Sequence, residues 1–439
     1  MSLLVSAVGV PPPFAWLLRP WPRQWLVVAA AAVGMLASFV VNTSIAVFLK
    51  PFEAEFGWLR ADIAIAYTLM SAGAALGGLI VGWLFDRIDV RPIVVFGMTV
   101  CGCGLIVLSF STDLFMIQCI YLAIGIFGFA CLYTPLIAIV GVWFERRRGL
   151  AMGIVTAGGT LGQGISPLAV QPMIEAFGWR HAYLVLGIVY LIVLVPLMLL
   201  FTKPLATEGP AKSAAADAAA SPGPSPWVSV PWLGVAALFC CVSMAIPVIH
   251  LVPLLADKGL PTAAAGGLML TTMLSASVGR VCFGMFCDRI GPLRSYALAV
   301  FVQTITVHWF VELPSLPALY ALAVVFGFGY GGVMTTLTLS VRAAVPVRYA
   351  GISMAVVGLL AWLGMGLGGY QGGYCFDLTG NYRLSFASAA LAGVANLLVI
   401  AGFAAHLRWN GRLTRLVHDL RRATADALRR GGVRPAPLR

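Results

Sequence analysis

Apolar residues along this chain come in long blocks, not in the short alternations of a sheet or the one-sided stripes of a soluble bundle. Each block holds about twenty residues or more, enough for a helix to cross a hydrocarbon core roughly 30 Å thick. The blocks fall at 25–50, 62–85, 92–111, 114–142, 149–173 and 179–202, then at 228–256, 262–287, 293–312, 316–341, 350–376 and 384–407. Inside a bilayer a helix satisfies its own backbone, so the pattern predicts an all-α membrane protein with twelve transmembrane helices. The break between the sixth and seventh blocks, 203–227, is rich in Ala, Pro and Ser and reads as a flexible cytoplasmic linker. It divides a bundle of six helices, 25–202, from a second bundle of six, 228–407. A cytoplasmic segment, 1–24, precedes the first bundle, and a tail, 408–439, follows the second.

The two halves repeat in register. Gly82-x-x-x-Asp86-Arg87 returns as Gly284-x-x-x-Asp288-Arg289, an offset of 202, and Gly57, Gly149 and Gly178 return at the same offset as Gly259, Gly351 and Gly380. Parallel repeats flanking a midplane site are the plan expected of a secondary transporter. The cluster Gly327-x-Gly-x-Gly331 lies within the tenth block, so it serves close helix packing and not nucleotide binding.

Charge then singles out one residue. From Pro261 to Cys287 the eighth block carries no charge except Arg280, and Asp288 and Arg289 follow eight and nine residues later. That spacing, roughly 12 Å along a helix, puts Arg280 near the midplane, where a cation costs about 2.5–3.5 kcal/mol and marks a functional site. At helical spacing its side holds Met273, Ala276, Ser277, Gly284 and Cys287, while Leu274, Val278 and Met285 lie opposite. The small, soft side is expected to meet a cavity and the aliphatic side lipid; the competing reading is an arginine that snorkels to the headgroups.

Composition narrows the class. Sixty per cent of the residues are hydrophobic and ten per cent charged, far from a soluble protein. The net charge of +12 does not point to nucleic acid, because with a cytoplasmic N-terminus 22 of the 28 Lys and Arg lie on the cytoplasmic side. Lys50, Arg60, Arg180, Lys258 and Arg383 lie outside, and Arg280 is the remaining one. That bias follows the positive-inside rule and predicts a multi-pass protein of the inner, cytoplasmic membrane with both termini in the cytoplasm. The 16 acidic residues all fall at or near loops, so Arg280 has no evident carboxylate partner in the core. The nine cysteines are scattered without metal-ligand spacing. No nucleophile–base set, metal site or phosphate loop is present, so neither an enzyme nor a cofactor is expected.

The string Gly82 to Arg91 resembles the loop signature between helices 2 and 3 of the major facilitator superfamily, with Asp89 where that family usually has Gly. The second copy, Gly284 to Arg294, keeps Gly291 at that place. Phe56-Gly-Trp-Leu-Arg-Ala-Asp62, Trp143-Phe-Glu-Arg-Arg-Arg-Gly149, Phe177-Gly-Trp-Arg-His-Ala-Tyr183 and His250-Leu-Val-Pro-Leu-Leu-Ala-Asp257-Lys-Gly look like the monocarboxylate and oxalate–formate branch. The resemblance implies that Arg280, followed four residues on by Gly284, binds a carboxylate. It also implies a cytoplasmic gate built from Gly82, Asp86, Arg87, Arg91 and the Glu145–Arg148 cluster, repeated by Gly284, Asp288, Arg289 and Arg294. Better-known relatives carry an Asp and a Lys where this chain has Ala276 and Thr43, which removes their usual proton-carrying groups.

The expected site therefore centres on Arg280, a planar fork suited to a carboxylate. Asn42, Thr43, Tyr133, Thr160, Gln163, Ser275 and Tyr330 are its candidate polar neighbours, and Phe129, Phe328 and Trp362 its candidate apolar wall. His250 and Asp257 are candidates for proton coupling, with a hydrogen-bonded structural role as the alternative for His250. In the tail, apolar residues from Leu413 to Ala427 at three- and four-residue steps, with Arg between, suggest an amphipathic helix on the anionic leaflet; a disordered basic tail is the alternative, since Gly431 and Pro435 end any helix. The function expected is secondary transport of a small organic monoanion, of the lactate or pyruvate type or an aromatic acid, coupled to protons through rocking halves of a monomer. Anion exchange, drug export on the same fold and a non-transporting sensor are the alternatives.

Overall fold

A computed structural model describes residues 23–85, 87–143, 148–201, 226–346 and 349–430. Side chains are described for these except at residues 23, 24, 85, 138, 140–150, 201 and 410–430. Every expected block falls on helix: α1 (Arg23–Phe56), α2 (Arg60–Phe85), α3 (Val90–Ser109), α4 (Leu114–Ala123, continuing through a π-helical turn, Ile124–Phe129, into Ala130–Trp143), α5 (148–177) and α6 (179–201). The second half repeats the series with α7 (Pro226–Asp257), α8 (Thr262–Ile290), α9 (Pro292–Val307, with the short Trp309–Glu312 after it), α10 (Leu316–Ala344), α11 (Ala350–Thr379) and α12 (Arg383–Arg430). Ten helices among the described residues are long and apolar enough to cross a membrane; one of these is α5 and α6 joined end to end. Gly178, with φ +80°, breaks the helix between them. The tail continues α12 as helix to Arg430; its side chains from residue 410, like the linker 203–225 and residues 1–22, lie outside what is described.

The glycines of the repeat explain themselves. Gly57, Gly178, Gly259 and Gly380 all take positive φ, between +67° and +80°, where a side chain would be strained. Each closes a turn on one face of the bundle, called here the outer face; α1 begins on the opposite, inner face. Gly291 also has positive φ, at +88°, whereas its counterpart Asp89 stands at φ −55°. The first copy of the signature loop thus accommodates a non-glycine residue by changing its backbone.

Two helix pairs make most of the contact between the halves, α2 with α11 and α5 with α8, and α1 also meets α7. The internal repeat exchanges one pair for the other, as a pseudo-twofold relation requires. Small residues permit the close approaches: a Cβ on Gly331 would lie 1.8 Å from the Ala276 carbonyl oxygen, and one on Gly279 2.1 Å from that of Phe328. The glycine cluster of α10 therefore seats α8, and with it Arg280. Gly331→Ala has no flexible neighbour to displace, so it should cost about 1–3 kcal/mol by overpacking. Thermal unfolding of purified Gly331→Ala is expected several degrees below wild type; an unchanged midpoint would contradict this packing.

The two sides of α8 differ in burial as the spacing predicts. Leu274, Val278 and Met285 are about half exposed, whereas Met273, Ala276 and Cys287 are buried.

Candidate functional site

Between the halves lies a cavity of about 250 Å³, lined from α1, α4, α5, α7, α8, α10 and α11. It reaches from Arg280 toward the inner ends of α10 and α11, where Val341 and Met354 line it. Of the expected polar neighbours, Asn42, Tyr133, Gln163 and Tyr330 line it, as does the expected aromatic residue Trp362. The Tyr330 hydroxyl donates to Gln163 Oε1 across the half boundary, 3.2 Å away. Tyr133 and Tyr330 both lie close enough to Arg280 to interact electrostatically with it.

Arg280 is poorly satisfied. Its Nη1 donates to the Thr156 carbonyl at 3.5 Å, the long limit of a hydrogen bond. Its Nε has no partner among the described residues, and neither amide atom of the fully buried Asn42 has one. No carboxylate forms an ion pair with Arg280 among the described residues. The guanidinium does not snorkel: it lines the cavity, and its Nη1 reaches Thr156, eight residues inside the inner end of α5. A cation with spare donors beside an unpartnered amide is arranged to receive an acceptor-rich group.

Three expected neighbours are elsewhere. The Thr43 and Thr160 hydroxyls donate to their own helix, to the carbonyls of Phe39 and Thr156, and neither residue lines the cavity. Ser275 bonds the Val324 carbonyl at 2.6 Å, tying α8 to α10. In each case a hydroxyl found a backbone acceptor nearer than the cavity. Phe129 backs the wall instead of forming it: it stacks on Tyr133 and meets Trp362 edge-on, 5.1 Å between centroids. Phe328 packs on Phe283. The sequence reading missed Phe39, Thr156 and five methionines, Met35, Met244, Met334, Met354 and Met365. Once Tyr330 and Trp362 are placed on the cavity, helical spacing extends their faces to Met334, Leu337, Thr338 and Val341 and to Met354 and Met365; no such signal marks Phe39, Thr156, Met35 or Met244.

The outer face is closed over this cavity by charged groups from both halves. Arg60, buried at 3% exposure, donates to Glu53 at 3.0 Å and to Asp257 at 2.6 Å, and Lys50 also pairs with Asp257. Asp377 of α11 accepts the first backbone N–H groups of α2, from Arg60 at 3.1 Å and Ala61 at 2.7 Å. A carboxylate from one half thus caps a helix of the other. Lys258, just beyond α7, donates to the Phe310 and Leu313 carbonyls, and burial holds its pKa below the ordinary lysine value.

His250 joins the same closure. Its Nε2 must donate to the Gly369 carbonyl at 2.8 Å, which leaves Nδ1 to accept from Tyr382, 3.3 Å away. The Tyr382 hydroxyl in turn accepts from Arg60 Nη1 at 2.8 Å. The two expected proton-coupling residues, His250 and Asp257, are therefore linked through Tyr382 and Arg60.

On the inner face, Gly82 and Gly284 leave open space where a Cβ would stand. Arg87 lies over the Trp83 ring at 3.8 Å, and the buried Nε of Arg91 has no partner among the described residues. Asp288, Arg289 and Arg294 are exposed. No ion pair joins the halves on this side among the described residues. Asp86, Glu145 and the Arg148 side chain lie outside the described residues.

Comparison with known proteins agrees with this architecture. The family model for the Major Facilitator Superfamily matches residues 31–368 and 232–422. Among similar proteins are monocarboxylate transporter 13 of Rattus norvegicus, 28% identical over 86% of this chain and 89% of its own, and monocarboxylate transporter 12-B of Danio rerio, 26% identical over 86% of each. Monocarboxylate transporter 2 of Meriones unguiculatus is 27% identical over 92% of this chain and 88% of its own. A solved bacterial homologue of the human lysosomal transporter Spinster, titled inward-facing and occupied, superposes with a TM-score of 0.68. It is 16% identical and covers 90% of this chain and 98% of that one.

Proposed function

The chain belongs to the major facilitator superfamily, and on that premise we propose that it is a secondary active transporter of a small organic monoanion. The observation that carries this reading is Arg280: a guanidinium lining a cavity between the halves, with no carboxylate partner among the described residues. The acid itself supplies the missing countercharge. Monocarboxylate transporters among the similar proteins support the same substrate class. The carrier works by exposing the cavity alternately to each face, with the Arg60–Asp257 closure holding the outer side and the signature loops acting on the inner side. It sits in the inner membrane with both termini cytoplasmic, as the Lys and Arg distribution supports.

Two energy couplings are open to this site. Asp257, partly exposed at the outer face and holding Arg60 and Lys50, offers a place for a proton whose arrival would release both cations and loosen the network that reaches Tyr382 and His250, which supports symport. Exchange is favoured by a different observation: the cavity is lined by a cation but by no Asp, Glu or His among the described residues. A loaded carrier is then neutral at its centre, while an empty one holds an uncompensated charge that resists reorientation. The cavity's lack of a carboxylate also speaks against a proton-driven drug exporter.

Reconstituted protein should take up labelled monocarboxylate by counterflow into liposomes loaded with the same acid. Stimulation by an inward proton gradient without internal acid would identify symport; strict dependence on internal acid would identify exchange. Absence of flux under both conditions would count against transport altogether.

A further inference from the structure

The cavity's chemistry differs from one flank to the other. The α5–α8 pair lies on one flank of the boundary between halves and the α2–α11 pair on the other. On the α5–α8 flank stand Arg280, Thr156 and Gln163. The facing wall, from α11, is formed by Met354, Val357, Gly358, Ala361, Trp362 and Met365, none of them charged and only the Trp362 indole able to donate a hydrogen bond. Gly358 is eight residues from the inner end of α11 and Arg280 ten from that of α8. That places both at similar depth, roughly 12–15 Å from the inner ends. A Cβ on Gly358 would meet nothing within 4 Å, so this glycine does not serve helix contact. It leaves room on the apolar wall.

A short acid seated on Arg280 would use little of a cavity of about 250 Å³. Water filling the remainder would lie against thioethers and ring faces, whereas a stable buried water wants about 2–4 polar partners. An aromatic group meets the opposite conditions: the Tyr133 and Trp362 rings stand edge to face at 5.9 Å, and thioethers make favourable contacts with ring edges.

We propose that the preferred cargo is a monocarboxylate bearing an aryl or comparably bulky apolar group, its carboxylate on Arg280 and its apolar group against α11, with Gly358 setting the room available. This rests on the monoanion reading above. The site discriminates by volume: a side chain introduced at position 358 competes with the cargo's ring and not with its carboxylate.

The test compares matched pairs on the purified full-length protein, pyruvate with phenylpyruvate and acetate with phenylacetate, by calorimetry in lipid nanodiscs. Each phenyl-bearing acid should bind at least about tenfold more tightly than its parent. Gly358→Leu should collapse that ratio toward one; leucine favours helix and enters open space, so the variant should fold, and Gly358→Ala should show a smaller loss. Arg280→Gln should weaken both members of each pair together. Equal or tighter binding of the parent acids, or a phenyl preference unaffected by Gly358→Leu, would overturn the bulky-cargo assignment alone. Failure of any acid to bind, or binding indifferent to Arg280→Gln, would overturn the monoanion reading with it.

Discussion

Arg280→Gln is expected to abolish measurable carboxylate transport while leaving the protein at least as stable as wild type. The loss follows from removing a charge-assisted, two-pronged donor to the acid. Truncating one partner of a buried charged pair costs about 2–5 kcal/mol, so the affinity should fall by roughly thirtyfold at the least. The gain in stability has a separate cause. Nε has no partner among the described residues and Nη1 has one long hydrogen bond, so within the protein the guanidinium is under-compensated for its burial. Glutamine keeps much of the volume and removes the charge. A structural arginine would behave in the opposite way, losing melting temperature and activity together. Arg280→Lys should fall between, because it restores charge without the planar fork. Binding calorimetry paired with thermal unfolding separates these outcomes, and a Gln variant that melts well below wild type would refute a ligand-binding role.

How much of this was legible before any coordinates follows from how strongly each feature is forced. The helices were, because hydrocarbon leaves a chain no other way to satisfy its backbone. The glycines between blocks were legible as a repeat, but the positive φ that Gly57, Gly178, Gly259 and Gly380 share was not. Arg280 was, because a lone cation in an apolar run is costly, and its orientation followed from which neighbours at helical spacing were small. The rest of the cavity depends on rotations of a fraction of a turn. Thr43 adjoins Asn42, yet about 100° of helix separates them; one bonds its own helix and the other faces the cavity. The π-helical turn in α4 adds to the difficulty by re-phasing the residues after it, Tyr133 among them. Methionine in a membrane span looks like any other apolar residue until its neighbours are known. Arg60 was hidden for another reason. A charge at the end of a span reads as a topology signal, and only the packing of α2 against α11, which brings Arg60 to Asp257 at the end of α7, turns it into the centre of a closure.

Removing that centre should shift the balance between closed and open outer faces. Arg60→Met keeps an unbranched apolar stem but removes the guanidinium, which lies over the Phe376 ring at 3.7 Å, so Glu53 and Asp257 lose their shared cation. A fully buried pair broken in this way costs about 3–5 kcal/mol. Here Glu53 is 34% and Asp257 26% exposed, so water offsets part of it and about 1–3 kcal/mol remains. That corresponds to a shift of roughly 5- to 150-fold toward the outer-open form. Lys50 still pairs with Asp257, and Asp377 still caps α2 through backbone N–H groups that the substitution leaves in place, so the closure should weaken without vanishing. Spin labels at the exposed outer positions Asp113 and Asn381, one in each half, should report a longer distance population in Arg60→Met than in wild type. Asp377→Ala combined with Arg60→Met should enlarge it again, since capping and ion pairing then fail together. An unchanged distance distribution in the single variant, with folding intact, would mean that apolar contacts alone hold the outer face and that the Arg60 cluster is a passenger on it.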